Sequence, residues 1–362
     1  MKIGYHRVCN SWYRNVNTHG LGYEYIDFHD GNDERWDNKF FDYHGEDDVD
    51  LYHFFNHIYF GKKKWISTFE DLLPRISETI DSYHHEGNFH NILESEELTK
   101  RLDQISKDNC IAILAMSQWC YDLQKRLMKE SGYSHLERKM FIMNPPQKML
   151  TDKNIKYDGG VLKLMIVGKD FFRKGGVEII RALDDLIVNN IELTIVSSLS
   201  FDPYARNESQ YHDNEVKKII KGSDWITHYE TLPNDYVLEL MREQHVGLLP
   251  TWSDTYGYSV LEFQASGVPV ITTNVNALKE INNNSCGWVI DIPKNSFGEA
   301  LYTYKKQRKD ISNTIVEELQ NIVKDIISNP NIIEEKSKSC LKRVKNNDID
   351  VHYGKLKLLY GS

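Results

Sequence analysis

"VGLLPTWSDTYGYSVLEFQASGVPVITT" runs from Val246 to Thr273. It opens on a short apolar run, "VGLLPT", which reads as a buried strand. "WSDTYG" follows as a turn in which Ser253, Asp254 and Thr255 are suited to cap a helix. The helix is expected from about Gly257 to Ser266, stopping at Gly267, and Pro269 opens the next strand, "PVITT". Strand, turn, helix and strand in so short a span is the βαβ unit of a parallel sheet. The helix is apolar nearly all round and is expected to be buried, yet it carries Glu262. A buried ionised carboxylate is costly unless it is paired. An Arg or Lys from a neighbouring element could satisfy it. Alternatively, Glu262 accepts hydrogen bonds from a ligand's hydroxyls. If the whole span from Asp254 to Glu262 is helical, the two acids lie at most about 12 Å apart along the axis. That suits one acid on each of two sugars joined by a diphosphate. The phosphates would then sit on N–H groups around Tyr256, Gly257 and Tyr258 at the helix N-terminus.

The same alternation continues on both sides. "LKLMIVG", "LTIVSS", "WITHYE" and "GWVIDI" are further strand candidates. "GGVEIIRALDDLIV", "NESQYHDNEVKKIIKG" and "NDYVLELMREQ" carry helical periodicity between them. Ligands on such sheets bind at the carboxyl ends of the strands. There "IVGKDFFRKGG" supplies Lys169, Arg173 and Lys174, and Gly175 and Gly176 let the following helix begin close to a ligand. Charged loops are ordinarily just solvated. This loop and the Asp254 turn, however, open on the same sheet edge.

The first half of the chain has a looser α/β pattern. Strands are expected at "KIGY", "VDLYHFF", "KWISTFE", "CIAILAMS" and "KMFIMN", with helices at "SEELTKRLDQIS" and "QWCYDLQKRLMKES". The link "NPPQKMLTDKNIKYDGG" is poor in apolar residues and marks a domain break. The domains are drawn as 1–155, 156–340 and a segment 341–362 that packs back on the first. At 362 residues two domains are the prior, and a charged fraction of 27% with a hydrophobic fraction of 40% is that of a soluble globular protein. No apolar run reaches the ~20 residues of a membrane span, and "MKIGYHRVCNSW" lacks a secretory h-region. The five cysteines are scattered and odd in number, which favours reduced thiols in a cytoplasmic setting. A net charge of −9 argues against general nucleic-acid binding.

"IVGKDFFRKGG", "WITHYETLPNDYVLELM" and "VGLLPTWSDTYGYSVLEFQASGVPVITTNVNALKEI" together resemble the C-terminal domain of retaining GT-B glycosyltransferases of family 4, collinearly over roughly residues 160–292. The family pattern is an acid, seven residues and a Glu, then a small-residue stretch and "G-x-PV". The resemblance implies two Rossmann-like α/β domains facing a cleft. It implies a nucleotide-diphosphate sugar donor held by the second domain, an acceptor on the first, and no cofactor. By the same resemblance Glu262 binds the donor ribose and Asp254 the transferred sugar. Lys174, with Arg173 or Lys169, neutralises the diphosphate. His228, Thr231 and Leu232 in "THYETLP" border the base. Asp254 stands where the family usually has Glu, Lys169 where Arg is frequent, and Asn276 where Gly is common. In "KKKWISTFEDLLP" the similarity is thinner. Glu70 replaces the usual His, so Glu70 and Asp71 are acceptor-side candidates, with a helix N-cap and first-turn acid as the plainer reading. The usual glycine pair after the first strand is missing; Gly20 and Gly22 could stand in.

The chemistry implied is transfer of a hexose-type sugar with retention to a glycan, a lipid-linked acceptor or another hydroxyl. A catalytically inactive GT-B binding protein, or a GT-B epimerase or phosphorylase-like enzyme, is the alternative. Other constellations have plain readings. Asp48 and Asp50 form a D-x-D but precede a strand and read as an acidic turn. His53, His57, His84, His85 and His90 fit no HExxH frame, so no metal is expected. Lys125, Arg126, Lys129, Arg138, Lys139 and Lys148 crowd a short span. They read as solvated surface or as a peripheral contact with anionic membrane at its cytoplasmic face.

Overall fold

The protein is described as a computed structural model covering residues 1–5, 21–28, 36–37, 40–76, 87–184, 186, 190–199 and 213–361. Gly20, His84, His85 and residues 207–212 of one expected helix lie outside the described residues. The chain divides into two compact units, Met1–Pro146 with Asn347–Ser362, and Gln147–Asn346.

In the first unit the elements run β1 (Lys2–Tyr5), β2 (Glu24–Asp27), β3 (Trp36–Asp37), β4 (Asp42–Tyr43), β5 (Leu51–Phe55), β6 (Ile58–Tyr59), β7 (Lys64–Phe69), α1 (Glu96–Ser106), β8 (Cys110–Ala115), α2 (Gln118–Glu130) and β9 (Met140–Ile142). A six-stranded sheet has the order β2-β1-β5-β7-β8-β9, every neighbouring pair parallel. β3, β4 and β6 form a small separate sheet. β5 is buried at every residue, as a central parallel strand covered on both faces must be. Ser117 caps α2 by accepting from the Cys120 N–H at 3.0 Å. At the end of α1, Lys139 Nζ donates to the carbonyls of Ile105, Ser106 and Lys107 at 2.9, 3.3 and 2.6 Å, satisfying groups the helix leaves open.

The second unit runs β10 (Leu162–Val167), α3 (Gly176–Asp184), β11 (Ile191–Val196), α4 (Asp213–Gly222), β12 (Ile226–Tyr229), α5 (Asn234–Arg242), β13 (Val246–Leu249), α6 (Tyr258–Ala265), β14 (Val270–Thr273), α7 (Leu278–Ile281), β15 (Gly287–Ile290), α8 (Lys305–Ser328) and α9 (Asn331–Lys345). Its sheet has the order β12-β11-β10-β13-β14-β15 and is parallel throughout. Relabelled within the unit, that is the 3-2-1-4-5-6 order of a doubly wound dinucleotide-type fold. The strand order reverses between β10 and β13, which pair at Leu164↔Val246, Met165↔Gly247 and Ile166↔Leu248. α6 lies against β13 so closely that a Cβ on Gly247 would fall 2.6 Å from the Phe263 ring. Only glycine allows that approach.

The last helix, α10 (Ile349–Tyr360), returns to the first unit. Leu356 and Tyr360 join Ile3, Leu51, Ile66, Ala112 and Leu114 in one buried core. His53, wholly buried, bonds Tyr360 Oη through Nδ1 at 2.7 Å and Thr68 Oγ1 through Nε2 at 2.8 Å. Burial, with His352 nearby, pushes its imidazole down to about 3.

The units divide at Pro146/Gln147 rather than at 155/156. The intervening residues are tied to the second unit: the Leu150 N–H donates to the Ala265 carbonyl at 3.0 Å, and the Ile155 N–H to Ser337 Oγ at 2.8 Å. Likewise 341–346 stay with the second unit, because they finish α9, which packs on α6.

Candidate functional site

The loop after β10 and the turn after β13 meet at the switch point. Lys174 Nζ and Asp254 Oδ2 form an ion pair at 2.6 Å, each side chain 13% exposed. Two backbone devices bring them there. Gly175 adopts φ +81°, and a Cβ on it would lie 2.3 Å from the Pro250 carbonyl oxygen, so the loop can press against the end of β13 only with glycine. Gly257, at φ +87°, precedes α6 and reverses the chain into the helix.

Arg173 is bound into this frame. It donates to the Ser253 carbonyl at 2.6 Å and pairs with Asp170. Its own carbonyl accepts from the Trp252 N–H at 2.8 Å and from Thr251 Oγ1 at 3.0 Å. Lys169 is anchored through its carbonyl, which accepts from Ser197 Oγ at 3.2 Å and Ser198 Oγ at 3.0 Å at the carboxyl end of β11. The Ser197 carbonyl in turn receives His228 Nε2 of β12 at 2.8 Å. The loops after β10, β11 and β13, together with the end of β12, thus form one connected rim. Thr231 is exposed just beyond β12 and Leu232 is half-buried.

Burial acts to raise the Asp254 carboxyl, but Lys174, Arg173 and the Tyr256 N–H outweigh it and hold the group below the usual carboxylate range. The Tyr256 N–H, read from the sequence as a phosphate donor, is spent on Asp254 Oδ1 at 3.3 Å. The reason is local: Asp254 lies in the turn before the helix, where its side chain reaches the backbone two residues on. α6 begins only at Tyr258, so the Asp254–Glu262 span is turn followed by helix rather than continuous helix. Glu262 is buried at 8% exposure on α6.

Two residues at the site have roles that sequence reasoning misses. Glu299, 1% exposed, accepts from Asn276 Nδ2 through Oε1 at 2.5 Å and from Ser253 Oγ through Oε2 at 3.1 Å. Asn276 has φ +46°, a left-handed conformation that Asn tolerates better than most residues. Its Nδ2 also donates to the Asp254 carbonyl at 3.3 Å. The only signal in the sequence was an Asn in a position suited to glycine.

Glu70 lies in the first unit, directly after β7. It pairs with Arg75 and accepts from Asn56 Nδ2 at 3.2 Å, while its N–H donates to Asn56 Oδ1 at 3.2 Å. Burial raises the Glu70 carboxyl; Arg75 opposes this and Asp71 adds to it. Asp71 accepts from the Leu72 N–H at 2.6 Å, and Arg75 stands 3.7 Å from its other oxygen. Asp48 pairs with Lys2 Nζ at 2.6 Å and Asp50 accepts from the Lys2 N–H at 2.8 Å, so the D-x-D is an acidic turn closing on β1. Among the described residues no group of three or more His, Cys, Asp or Glu could hold a metal ion. Of the basic cluster, Lys125 pairs with Glu137 at 2.5 Å and Arg126 with Glu130 at 2.7 Å, and Lys139 caps α1.

Fold and rim together describe a doubly wound α/β domain with a charged site at its switch point. Residues 151–321, which hold this sheet and site, match the family described as "Glycosyl transferases group 1". Solved structures of similar fold include sucrose-phosphate synthase from Thermosynechococcus elongatus, with TM-score 0.58 and 14% identity, covering 86% of this chain and 73% of that one. HepE from Anabaena, solved in complex with UDP and glucose, aligns with TM-score 0.57 and 12% identity over 87% and 78% of the two chains. WaaG, a glycosyltransferase involved in lipopolysaccharide biosynthesis, gives TM-score 0.54 and 16% identity over 85% and 77%. No curated protein matches the chain in sequence. The chain thus has the two-unit GT-B fold of these structures, and the stretch that resembles the group 1 glycosyl transferases lies within its second unit.

Proposed function

We propose that the protein moves a hexose-type sugar, with retention, from a nucleotide-diphosphate sugar to a hydroxyl of a glycan or lipid-linked acceptor in polysaccharide or glycoconjugate synthesis. The observation that carries this reading is the Lys174–Asp254 pair at the switch point, one cation and one acid where a nucleotide sugar presents its diphosphate and its hexose. UDP is the first nucleotide to test, because HepE was solved with UDP and glucose and shares the fold; GDP follows.

In this reading the sugar's C–O bond to the diphosphate breaks with positive charge growing on the ring and negative charge on the leaving group. Lys174 exchanges Asp254 for the diphosphate and stabilises that negative charge. Asp254, released, accepts from hexose hydroxyls. Arg173 holds the Ser253 carbonyl and so keeps the turn in place while the pair opens. Glu262 takes the ribose hydroxyls, and His228, Thr231 and Leu232 border the base. The N–H groups of Gly257 and Tyr258, at the start of α6, face the phosphates. On the acceptor side Glu70, whose carboxyl burial raises, receives the proton of the attacking hydroxyl. The cations at the diphosphate are side chains, so a divalent metal is not needed. No helix among the described residues is long and apolar enough to cross a membrane. A lipid-linked acceptor would be met at the cytoplasmic face, through Lys129, Arg138 and Lys148 of the basic cluster.

A thermal-shift panel of UDP, GDP, ADP and their sugars tests the reading. A nucleotide at 100 times its dissociation constant adds about 2.7 kcal/mol of stability. No shift with any of them refutes it.

A further inference from the structure

We propose that Glu299 and Asn276 are positioning residues that set where the Asp254 carboxylate points. This deepens the donor-site reading above and rests on it. The turn Thr251–Asp254 is held on one side by the loop after β10, through Arg173 and Trp252. On the other side it is held by two residues far along the chain. Glu299 grips the Ser253 hydroxyl with one oxygen and the Asn276 amide with the other, and the same amide reaches the Asp254 carbonyl. Ser253 is thus fixed through both its carbonyl and its side chain, and Asp254 through both its carbonyl and its carboxylate.

Glu299 is itself delivered by a closed loop. Asn295 Oδ1 accepts from the N–H groups of Phe297 and Glu299 at 2.9 and 3.1 Å, and the Asn295 N–H donates to the Glu299 carbonyl at 2.8 Å. The Gly298 carbonyl accepts from the Asn276 N–H at 3.1 Å, so the two residues are joined by backbone as well as side chain. A carboxylate at 1% exposure is a costly element to bury. An apolar side chain would fill the volume but could accept neither bond. A glycine at position 276 would suit φ +46° and remove the link altogether. What the pair adds over those cheaper solutions is a fixed frame for Asp254. When the donor arrives and Lys174 leaves Asp254 for the diphosphate, the carboxylate loses its strongest partner. The Glu299–Asn276–Ser253 frame then keeps it on the hexose.

The test uses the full chain and the variants Glu299→Gln and Asn276→Gly. Glu299→Gln keeps the volume and replaces one acceptor by an NH2 that faces a donor. Asn276→Gly keeps the backbone conformation and removes the bridge. Both are expected to lower donor turnover 10- to 100-fold while the affinity for the free nucleoside diphosphate, measured by calorimetry, changes less than 3-fold; the melting temperature falls in both, because each leaves a buried polar group unpaired, and turnover is compared at a temperature where both variants are folded. Free nucleoside diphosphate lacks the hexose, so its binding does not depend on the Asp254 direction. A loss of nucleotide affinity as large as the loss of turnover in the folded variants would mean that the frame is merely structural and would overturn the proposal. So would unchanged turnover in both variants alongside a dead Asp254→Asn. A wild type that binds no nucleoside diphosphate overturns the donor-site reading itself, an outcome distinct from either of these.

Discussion

Lys174→Met removes the charge of the switch-point pair and keeps the aliphatic stem. The stem must be kept, because Lys174 Cε lies 2.3 Å from where a Cβ on Gly168 would be. The variant leaves Asp254 as an acid at 13% side-chain exposure without its nearest cation. Breaking a fully buried pair from one side costs about 3–5 kcal/mol. Partial solvent access and the remaining pull of Arg173 bring the expectation down to about 2–3 kcal/mol. In a domain of this size each kcal/mol moves the melting temperature by about 2–4 °C, so the second unit should melt roughly 4–12 °C lower. Lys174→Met/Asp254→Asn should recover most of that loss, since the stranded charge is gone. The penalty should also shrink in acid. In the wild type the carboxyl is held below 3.8, so the pair contributes fully above that pH and is lost as pH falls through the depressed folded value. In the variant burial acts without Lys174 and raises the carboxyl, so Asp254 takes up a proton earlier and the gap to wild type narrows as pH falls from 7 to 4. Turnover should drop about 10²–10³-fold, the usual cost of losing one donor at a developing negative charge. Initial rates over a donor titration decide the catalytic part. A raised Michaelis constant with unchanged kcat would mean that Lys174 only binds, and unaltered melting would mean that the pair contributes nothing to the fold.

Glu262→Ala should weaken nucleoside diphosphate binding about 10- to 100-fold, the range for losing charge-assisted hydrogen bonds; equal affinity by calorimetry in a folded variant removes Glu262 from the site. Exhaustive chelation should leave donor turnover intact if, as proposed, side chains meet the diphosphate; activity lost on chelation and recovered with magnesium would refute that arrangement. In the first unit, His53 stays neutral until about pH 3 when folded but takes up a proton near 6.5 when unfolded. Stability should therefore be full above pH 6.5 and fall by up to about 1.4 kcal/mol per pH unit below it. Urea midpoints measured between pH 7 and 4 should show that slope in wild type and a flatter one in His53→Gln; identical slopes would exclude His53 as the titrating group.

The second sheet is legible in the sequence because its central strands β10, β13 and β14 are covered on both faces. "LKLMIV", "VGLL" and "VITT" are apolar or β-branched runs that end in glycine, proline or polar turns, a pattern that only a covered parallel sheet needs. The first unit shows less. β2, "EYID", is a partly exposed edge strand without clean alternation, and β3, β4 and β6 are two residues long each, too short for any periodicity. At the site, residue types and their place on the sheet edge can be read, but their partners cannot. Lys174 meets Asp254 across 80 residues of chain and Glu299 meets Ser253 across 46. No local pattern carries such distances. Arg173 shows the limit best: it reads as a free cation for a phosphate, and its guanidinium in fact braces a backbone carbonyl.

The return of α10 to the first unit has a consequence for the order of assembly. Tyr360 closes the buried bond to His53, and Leu356 fills the core around Ile3 and Leu51. During synthesis the first sheet therefore emerges before the second unit but waits, with an unfilled core, until Leu356 and Tyr360 appear. The second unit is one uninterrupted stretch, Gln147–Asn346, and holds all its strands before α10 is made. The domain translated second is the one able to fold first. A protease or a chaperone acting before residue 360 is made would meet a finished second unit and an unfinished first one.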